Sequence, residues 1–151
     1  MDCVFCKISD GRIPSVKLYE DQRTLAFMDI NPLNPGHCLV VIKAHAATIF
    51  EADPADLQAA ITAAKKVAAA VQTAMQADGL NVLQANGAAA FQSVPHFHFH
   101  VIPRWTNDGK GLDWTSVPGE MAEIRKNSER IRAALGDGGG PEGGHKPPPG
   151  K

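Results

Sequence analysis

The segment HFHFHVIP, residues 96–103, constrains the fold more than any other stretch of this sequence. Half of the chain's six histidines, His96, His98 and His100, occupy alternate positions in it, with phenylalanines between them. Because side chains alternate between the two faces of a β-strand, a strand here would carry the histidines on one face and the apolar residues on the other. The apolar face predicts a buried core, and the histidine face predicts the place where the chemistry occurs.

Three interpretations of the histidine face compete. It could be a polar strand face with hydrogen-bonded side chains, although three histidines in register are unusual for such a surface. It could be a catalytic metal centre, since imidazole is a common zinc ligand, but no carboxylate lies nearby and three same-face neighbours on one ion demand difficult geometry. It could be a nucleophilic site, because neutral imidazole, with a free pKa of about 6.5, attacks phosphorus near pH 7. The preceding Gln92 and Ser93 carry uncharged hydrogen-bonding groups that suit a leaving group, which favours the nucleophilic site.

The length, charge and cysteine content narrow the class of protein. A chain of 151 residues suits a single domain, and its formal net charge of −1 argues against a broad basic surface for nucleic acid. The N-terminal MDCVFCKISDGR has no apolar signal core, and no run approaches the roughly 18 apolar residues of a membrane span. Three cysteines, Cys3, Cys6 and Cys38, fit a reducing compartment. These features predict a cytoplasmic protein that binds neither membrane nor nucleic acid.

Five strands are predicted from apolar and β-branched runs bounded by turn residues. They are VKLYED (16–21), TLAFMDI (24–30), CLVVIK (38–43), LNVLQAN (80–86) and HFHFHVIP (96–103). The loop NPLNPGH (31–37) is rich in proline, asparagine and glycine, and Asp29, Asn31 and His37 bracket it. Because loops of this kind commonly carry ligand-binding groups, these three residues are candidates for the site.

A long helix is predicted between the third and fourth strands. Asp53 can cap it, Pro54 suits its first turn, and Gly79 ends it. Its predicted buried face consists of apolar residues at helical spacing: Leu57, Ile61, Ala64, Val67, Ala68, Val71 and Met75. A second helix is predicted at about residues 118–135, with these residues on one side: Met121, Ile124, Ile131 and Leu135.

The C-terminal sequence GDGGGPEGGHKPPPGK is almost entirely glycine, proline and charged residues. Such a composition cannot bury an apolar face. The sequence therefore predicts a domain over 1–135 and a flexible tail over 136–151.

The histidine segment and its surroundings resemble the histidine triad (HIT) superfamily, whose signature is His-x-His-x-His-x-x with apolar x. FMDINPLNPGHCLVVIKAH (27–45) is similar to the ribose-binding loop and strand of that family, and NVLQANGAAAFQSVPHFHFHVIPR (81–104) to its active-site segment. With CVFCK at the start, the resemblance covers about residues 2–105. The triad together with both flanks is a highly specific combination.

The resemblance implies an α+β, HIT-like fold with an antiparallel five-stranded sheet, one long helix and a C-terminal helix. It implies a homodimer in which the sheets of two subunits join. It also implies a hydrolase that cleaves a nucleoside phosphoramidate or a dinucleoside polyphosphate at the α-phosphate. A covalent nucleotidyl-histidine would form and water would release a nucleoside monophosphate, with a purine nucleotide as the expected substrate.

The resemblance assigns the catalytic roles by position. His98, the middle histidine, would be the nucleophile, and His100 and His37 would contact the phosphate. Gln92 and Ser93 would contact phosphate oxygens or the leaving group, so that both also bind the nucleotide.

The remaining nucleotide contacts are implied in the same way. Asp29 would hold the ribose hydroxyls, while Asn31 and Asn86 would line the nucleotide site. All of these residues could also persist in a nucleotide-binding regulatory module with little turnover, which is the alternative function. An intact nucleophile favours the enzyme, because binding alone does not require one.

Cys3-Val4-Phe5-Cys6 forms a Cys-x-x-Cys pair, which by itself is either a metal knuckle or two ordinary thiols. Some histidine triad proteins, and the related galactose-1-phosphate uridylyltransferases, complete such a pair with two histidines. Here the resemblance places those ligands at His45 and His96. It therefore implies a closed, structural zinc site of two cysteines and two histidines that leaves the other two triad histidines free for phosphate.

Two positions depart from the family pattern. Phe91 stands where the family commonly has glycine before the glutamine, and a bulky side chain there could reshape the leaving-group side. Ile42 stands where the family commonly has proline, which is expected to be structurally mild.

Overall fold

The computed structural model describes residues 2–112 and 116–136. The chain divides into two units, Met1–Gly111 and Leu112–Lys151. The predicted tail, 136–151, lies outside the described residues apart from Gly136, and the predicted extent of the domain, 1–135, stays a prediction.

The first unit contains two helices, one short 3-10 turn and five strands. They are α1 (Val4–Ser9), β1 (Lys17–Glu20), β2 (Thr24–Met28), β3 (Cys38–Ile42), α2 (Pro54–Met75), β4 (Gly79–Leu83), the 3-10 turn (Ala88–Ala90) and β5 (His98–Arg104). All five predicted strands are present and each is shorter than predicted, although β4 begins and β5 ends one residue outside the predicted range. Helix α1 is an addition that the sequence analysis missed.

The five strands form one antiparallel sheet in the order β1-β2-β3-β5-β4. The central strands β3 and β5 pair in a register that sets Leu39 opposite His100 and Val41 opposite His98. The predicted α+β architecture is therefore confirmed. Because β5 has a neighbour on each side, its backbone is held firmly and its side chains have fixed directions.

Helix α2 covers one face of this sheet. Asp53 caps it by accepting a hydrogen bond from the backbone N–H of Ala55 at 2.8 Å, and Pro54 occupies the first turn, as predicted. The buried side chains of α2 pack against β2, β3 and β5 in one cluster: Ala26, Cys38, Val40, Ala63, Ala64, Val67, Val71 and Val101.

Two details of α2 correct the sequence analysis. Ile61 was predicted to be buried but is 51% exposed, because Ala60 and Ala63 face the sheet instead. Small alanines let the helix approach the sheet closely. Because successive residues of a helix are rotated by about 100° around its axis, Ile61 points away from the sheet that Ala60 faces. The helix ends at Gln76 in a left-handed conformation (φ 49°), whereas Gly79 opens β4.

Helix α1 covers part of the opposite face. Its Phe5 is 6% exposed and meets the ring of Phe27 edge to face, with 5.6 Å between centroids. Leu39 and Val41 of β3 belong to the same cluster, whereas Val40 points to α2. The sheet therefore has an α2 side, which is a packed core, and an α1 side, which carries the histidines.

The second unit contains helix α3 (Met121–Leu135), which begins slightly later than predicted. The four apolar residues predicted on one side of it are 48–70% exposed: Met121, Ile124, Ile131 and Leu135. Among the helices of residues 2–112 and 116–136, none combines the length and the hydropathy that a membrane crossing requires.

Candidate active site

A cavity of about 470 Å³ opens on the α1 side of the sheet. Six of the residues predicted for the site line it: Asp29, Asn31, His37, Ser93, His98 and His100. Apolar side chains from α1, β2, β3 and the segment before β5 form much of the remaining wall. A cavity of this size, mostly apolar with a few converging polar groups, is typical of a site for a small ligand.

The triad histidines share one side of the sheet, as the alternation predicts. Phe97 and Phe99 pack into the α2 side, with 5.4 Å between their ring centroids. His98 and His100 lie on the other side, where their own ring centroids are 4.8 Å apart. The strand begins at His98, so the first histidine of the triad lies in the bend that precedes it.

The His98 ring is held in one orientation by its own backbone. Its Nδ1 lies 2.6 Å from the carbonyl oxygen of His96. A carbonyl can only accept, so Nδ1–H is the donor and the Nε2 of neutral His98 carries a free lone pair. Burial is the main cause that lowers the pKa of His98, although that hydrogen bond and Asp29 oppose it. The ring is therefore neutral near pH 7, and its Nε2 lone pair is available to a ligand in the cavity.

A relay of hydrogen bonds fixes the neighbouring His100. The backbone N–H of Leu33 donates to Nδ1 of His37 at 2.9 Å, so the proton of neutral His37 is on Nε2. That Nε2–H donates to Nδ1 of His100 at 2.9 Å and lies 3.4 Å from the carboxylate of Asp29. His100 therefore carries its own proton on Nε2. The cavity thus holds one imidazole with a lone pair, on His98, beside one with an N–H donor.

Acidification should destabilise the fold through His100. Burial, with His98 and His37 as further causes, lowers the pKa of His100 from 6.5 to about 4. Between these values the unfolded chain binds a proton that the folded chain does not, so the free energy of unfolding falls as pH drops from about 6.5 towards 4 and is level above about 7. Urea unfolding from pH 4 to 8 should show this slope, and His100→Gln should make it shallower. An unchanged slope in that variant would contradict the assignment.

Two predicted site residues do not reach the cavity wall. The Gln92 amide accepts from the backbone N–H of Gly87 at 2.7 Å and donates to the carbonyl of Ala47 at 2.6 Å. Asn86 accepts from the backbone N–H of Ile49 at 2.8 Å and exchanges hydrogen bonds with Gln84. Both side chains tie the loop before β5 to the loop before α2, which steadies the segment that carries the cavity's serine.

Four predicted metal ligands converge beside the cavity. Sγ of Cys3 lies 3.3 Å from Nδ1 of His96, and Sγ of Cys6 lies 3.6 Å from that same atom and 3.4 Å from Nδ1 of His45. With zinc bonds near 2.3 Å to sulfur and 2.0 Å to nitrogen, tetrahedral ligands would be about 3.5 Å apart. All four ligand atoms lie within 4.8 Å of one another, so the group could hold a metal ion.

The hydrogen bond at Nε2 of His96 supports metal binding through Nδ1 of the same ring. Its Nε2 donates to the carbonyl oxygen of Ile42 at 2.6 Å, which leaves Nδ1 with its lone pair directed at the thiols. The cluster of Asp29, His37 and His100 also brings three potential ligand atoms together. There, however, the proton on Nε2 of His37 excludes coordination through that atom, so this cluster suits hydrogen bonding to a ligand.

Helix α1 is the part of the site that the sequence analysis missed. Phe5 meets the rings of His96 and His98 edge to face, with centroid distances of 5.8 and 5.0 Å. The apolar spacing of Val4, Phe5 and Ile8 was the available signal, because residues four apart lie on one helix face. The hydrogen bond from the backbone N–H of Leu33 to His37 could not be predicted from the sequence, because every residue except proline has a backbone N–H.

Phe91 and Ile42, the two departures from the family pattern, differ in burial and in backbone conformation. Phe91 has a left-handed backbone (φ 65°), which explains why glycine suits this position, and the residue is 92% exposed. Ile42 is completely buried in β3, and the mild effect expected of it stays a prediction.

The profile of the HIT domain matches residues 10–107 of this sequence. This match covers more than half of the chain, and the three histidines that line the cavity lie within it. The chain belongs to the histidine triad family.

Named relatives and solved structures agree with this assignment. The adenosine 5'-monophosphoramidase of Schizosaccharomyces pombe is 41% identical over 136 residues, which cover 89% of this chain and 99% of that protein. The adenylylsulfatase of Arabidopsis thaliana is 43% identical over 107 residues, covering 71% of this chain and 54% of that protein.

Two solved structures have the same fold. A protein from Streptococcus mutans superposes with a TM-score of 0.85 at 36% identity, over 89% of this chain and 85% of that one. A zinc-bound histidine triad protein from Mycobacterium smegmatis superposes with a TM-score of 0.69 at 33% identity, over 89% and 98% of the two chains.

Proposed function

We propose that this protein hydrolyses a nucleoside phosphoramidate or a dinucleoside polyphosphate at the α-phosphate through a covalent nucleotidyl-His98 intermediate. One observation carries the proposal: the lone pair on Nε2 of His98 and the N–H of His100 belong to adjacent rings that line one cavity. At the general level, the chain is a hydrolase of the histidine triad family, since relatives are named an adenosine 5'-monophosphoramidase and an adenylylsulfatase.

In the first step, Nε2 of His98 attacks phosphorus and the bond to the leaving group breaks. In the second step, water attacks the same phosphorus, the bond between phosphorus and Nε2 of His98 breaks, and the nucleoside monophosphate leaves while the proton of the water passes to solvent. The N–H of His100 donates to a phosphate oxygen, where charge develops, and the hydroxyl of Ser93 contacts the leaving-group side. Such catalysis consists mainly of positioning and charge stabilisation, and the relay through His37 holds the donor in place.

The nucleoside would lie along the cavity's other residues. Asp29 would accept hydrogen bonds from the ribose hydroxyls, and Asn31 would lie beside them. The apolar wall, which includes Ile13, Ile30 and Leu39, offers a surface for a purine ring. Gln92 and the loop it steadies would support the phosphate side, as would Asn86.

The test is to incubate the purified protein with adenosine 5'-phosphoramidate or diadenosine polyphosphate and to measure AMP release. Quenching a single turnover in denaturing base, in which a phosphorus–histidine bond survives, should give a protein heavier by one nucleotidyl group on the peptide with His98. Nucleotide binding without AMP release would favour the regulatory module instead.

We also propose that the cysteine–histidine group binds zinc as a structural ion. Two thiolates and two imidazoles make a closed tetrahedral set with no open position for substrate. The ion would tie α1 to β5 through His96, and α1 in turn places Phe5 against His98. The three cysteines form no disulfide, which suits a cytoplasmic location.

The proposal includes a homodimer joined through β4, an edge strand of the sheet. Val82 of β4 is 41% exposed and lines a shallow apolar surface together with Ile61 of α2, which is 51% exposed. Continuing the sheet across β4 would bury both side chains and satisfy the free backbone groups of the edge.

Val82→Glu is therefore expected to convert the dimer into a monomer. In the dimer, the introduced carboxylate would be buried and would face the same negative charge of the other subunit. In the monomer it would be solvated, so the monomer is favoured. Sedimentation velocity should show the change of mass, with Val16→Glu, an exposed position near the other edge, as the matched control. A wild-type monomer at micromolar concentration, or a dimer that both variants preserve, would contradict this interface.

A further inference from the structure

A buried asparagine ties the loop between β2 and β3 to the end of strand β5. Asn34 is 5% exposed, and its side-chain amide donates to the carbonyl of Pro103 at 3.0 Å and to the carboxylate of Asp108 at 2.9 Å. Both N–H groups of the amide are therefore used, and a buried amide is stable only when it is bonded in this way. None of the roles proposed above uses these two hydrogen bonds.

Asp108 is a rigid partner for this amide because several other donors hold its carboxylate. Arg104 forms a two-bond ion pair with it, at 2.7 Å from Nε and 2.9 Å from a terminal nitrogen. The backbone N–H groups of Trp105 and Lys110 donate to it at 3.2 and 3.0 Å. The Arg104 guanidinium, with these backbone groups, holds the pKa of Asp108 well below its usual range. The carboxylate is therefore charged at neutral pH, and a two-bond pair with arginine fixes its direction.

The loop that Asn34 holds makes two hydrogen bonds to His37. The backbone carbonyl of Asn34 accepts from the N–H of His37 at 3.1 Å, and the backbone N–H of Leu33 donates to the ring Nδ1 at 2.9 Å. The second bond places the proton of neutral His37 on Nε2, which donates to His100. Because Leu33 directly precedes Asn34 in the chain, the side chain of Asn34 holds the peptide that selects this tautomer.

The position of the Leu33 N–H decides the direction of the next hydrogen bond. If this N–H moves away, Nδ1 of His37 is free to carry the proton instead. Its Nε2 then accepts from Nδ1 of His100, which leaves a lone pair on Nε2 of His100. In that arrangement His100 has no N–H to offer a phosphate oxygen, and its lone pair repels the negative charge.

We propose that Asn34 and Asp108 are positioning residues that set the direction of the His37–His100 hydrogen bond and keep an N–H of His100 turned toward the cavity. Neither residue lines the cavity, so both act through His37 and not on the ligand. The expected effect on turnover rests on the proposed function, whereas the tautomers can be measured without any substrate.

Nitrogen-15 NMR of the histidine rings tests the tautomers at about pH 8, where burial keeps both rings neutral. The chemical shift of each ring nitrogen shows whether it carries a proton, and His37→Gln and His100→Gln assign the signals. Wild type should hold the proton of both rings on Nε2. Asn34→Ala and Asp108→Ala should each give a mixture in which both rings also carry it on Nδ1.

Asp56→Ala is the matched control for loss of a buried ion pair. The Asp56 side chain is 9% exposed and lies 2.7 Å from Arg23, and Asp108 has the same exposure and the same distance to its arginine. This variant should keep the wild-type tautomers although it loses stability. If Asn34→Ala does not fold, Asn34→Ser, whose hydroxyl donates one bond in place of two, should give a smaller fraction of the second tautomer.

Turnover of adenosine 5'-phosphoramidate tests the consequence for catalysis. Asn34→Ala should lower kcat about tenfold, since a donor to developing charge contributes 10²- to 10³-fold and is here only misdirected for part of the time. KM should change less than about twofold, because the backbone N–H of Asp29 is held separately by the carbonyl of His37 at 3.1 Å. In a His37→Ala background the same change should lower kcat by less than about twofold further, since no ring is left to orient.

Unchanged tautomers in a folded Asn34→Ala protein would overturn the inference. A tenfold further loss of kcat in the His37→Ala background would overturn it as well, because Asn34 would then act without that ring. If the tautomers change as expected and wild type releases no AMP, the proposed function fails while the positioning of the two rings stands.

Discussion

Replacing His98 with alanine is expected to lower kcat for AMP release by about 10⁴-fold or more, the scale seen when a covalent nucleophile is removed. The neighbouring His100 cannot replace it, because its ring presents an N–H and no lone pair to the cavity. His100→Ala should have a smaller effect, about 10²- to 10³-fold, since it removes a donor to developing charge and leaves the nucleophile. The larger loss of kcat in the His98 variant would therefore identify His98 as the nucleophile and His100 as the hydrogen-bond donor.

Binding measurements separate this chemistry from a loss of structure. His98→Ala should bind AMP within a few-fold of wild type, because the ribose contacts of Asp29 and the apolar wall remain. It should also form no nucleotidyl adduct. Residual activity within tenfold of wild type would contradict covalent catalysis by this residue and would favour direct attack by water.

Removing the proposed zinc ion is expected to produce the largest change in stability. A ligand held at about 1,000 times its Kd adds roughly 4 kcal/mol to the free energy of unfolding, and chelation would remove this contribution. His45→Ala tests the same contribution without disturbing the core, because the His45 side chain is exposed. Metal analysis should give one zinc per wild-type chain and much less in Cys3→Ala and His45→Ala.

Cys38→Ala is the matched control for the cysteine variants. Cys38 is completely buried, and burial raises the pKa of its thiol to about 11, so it is a core residue and far from a thiolate ligand. This variant should keep its zinc. Zinc that is lost in His98→Ala, yet retained in Cys3→Ala, would contradict a structural ion and restore the catalytic metal centre as an interpretation of the triad.

The structure also shows why some expectations were wrong in detail. Helix α2 was expected to bury Ile61, since a large apolar residue at helical spacing favours the core. The sheet instead accepts the smaller Ala60 and Ala63, because close approach of helix and sheet depends on both surfaces. The contact of Gln92 with phosphate oxygens or the leaving group stays a prediction, and in this structure its amide binds two backbone groups, the N–H of Gly87 and the carbonyl of Ala47.

The sequence by itself determined the β5 strand, the two faces of that strand and the candidate ligands. The strand and its two faces follow from the alternation of polar and apolar residues every second position. This alternation can be read within a few consecutive residues, so no distant part of the chain is needed to predict it. The alternation of histidine and phenylalanine specified one polar and one apolar face before any partner strand was known. The Cys-x-x-Cys pair was likewise visible as a short spacing, although its partners were implied only by the family resemblance.

Only the tertiary structure decided which atom of each imidazole carries the proton. His96 donates to the carbonyl of Ile42, 54 positions away, and His100 accepts from His37, 63 positions away. These partners are distant in sequence and meet only when β3 and β5 pair. A histidine can be a metal ligand, a nucleophile or a donor, and the choice among them depends on hydrogen bonds that no local pattern encodes.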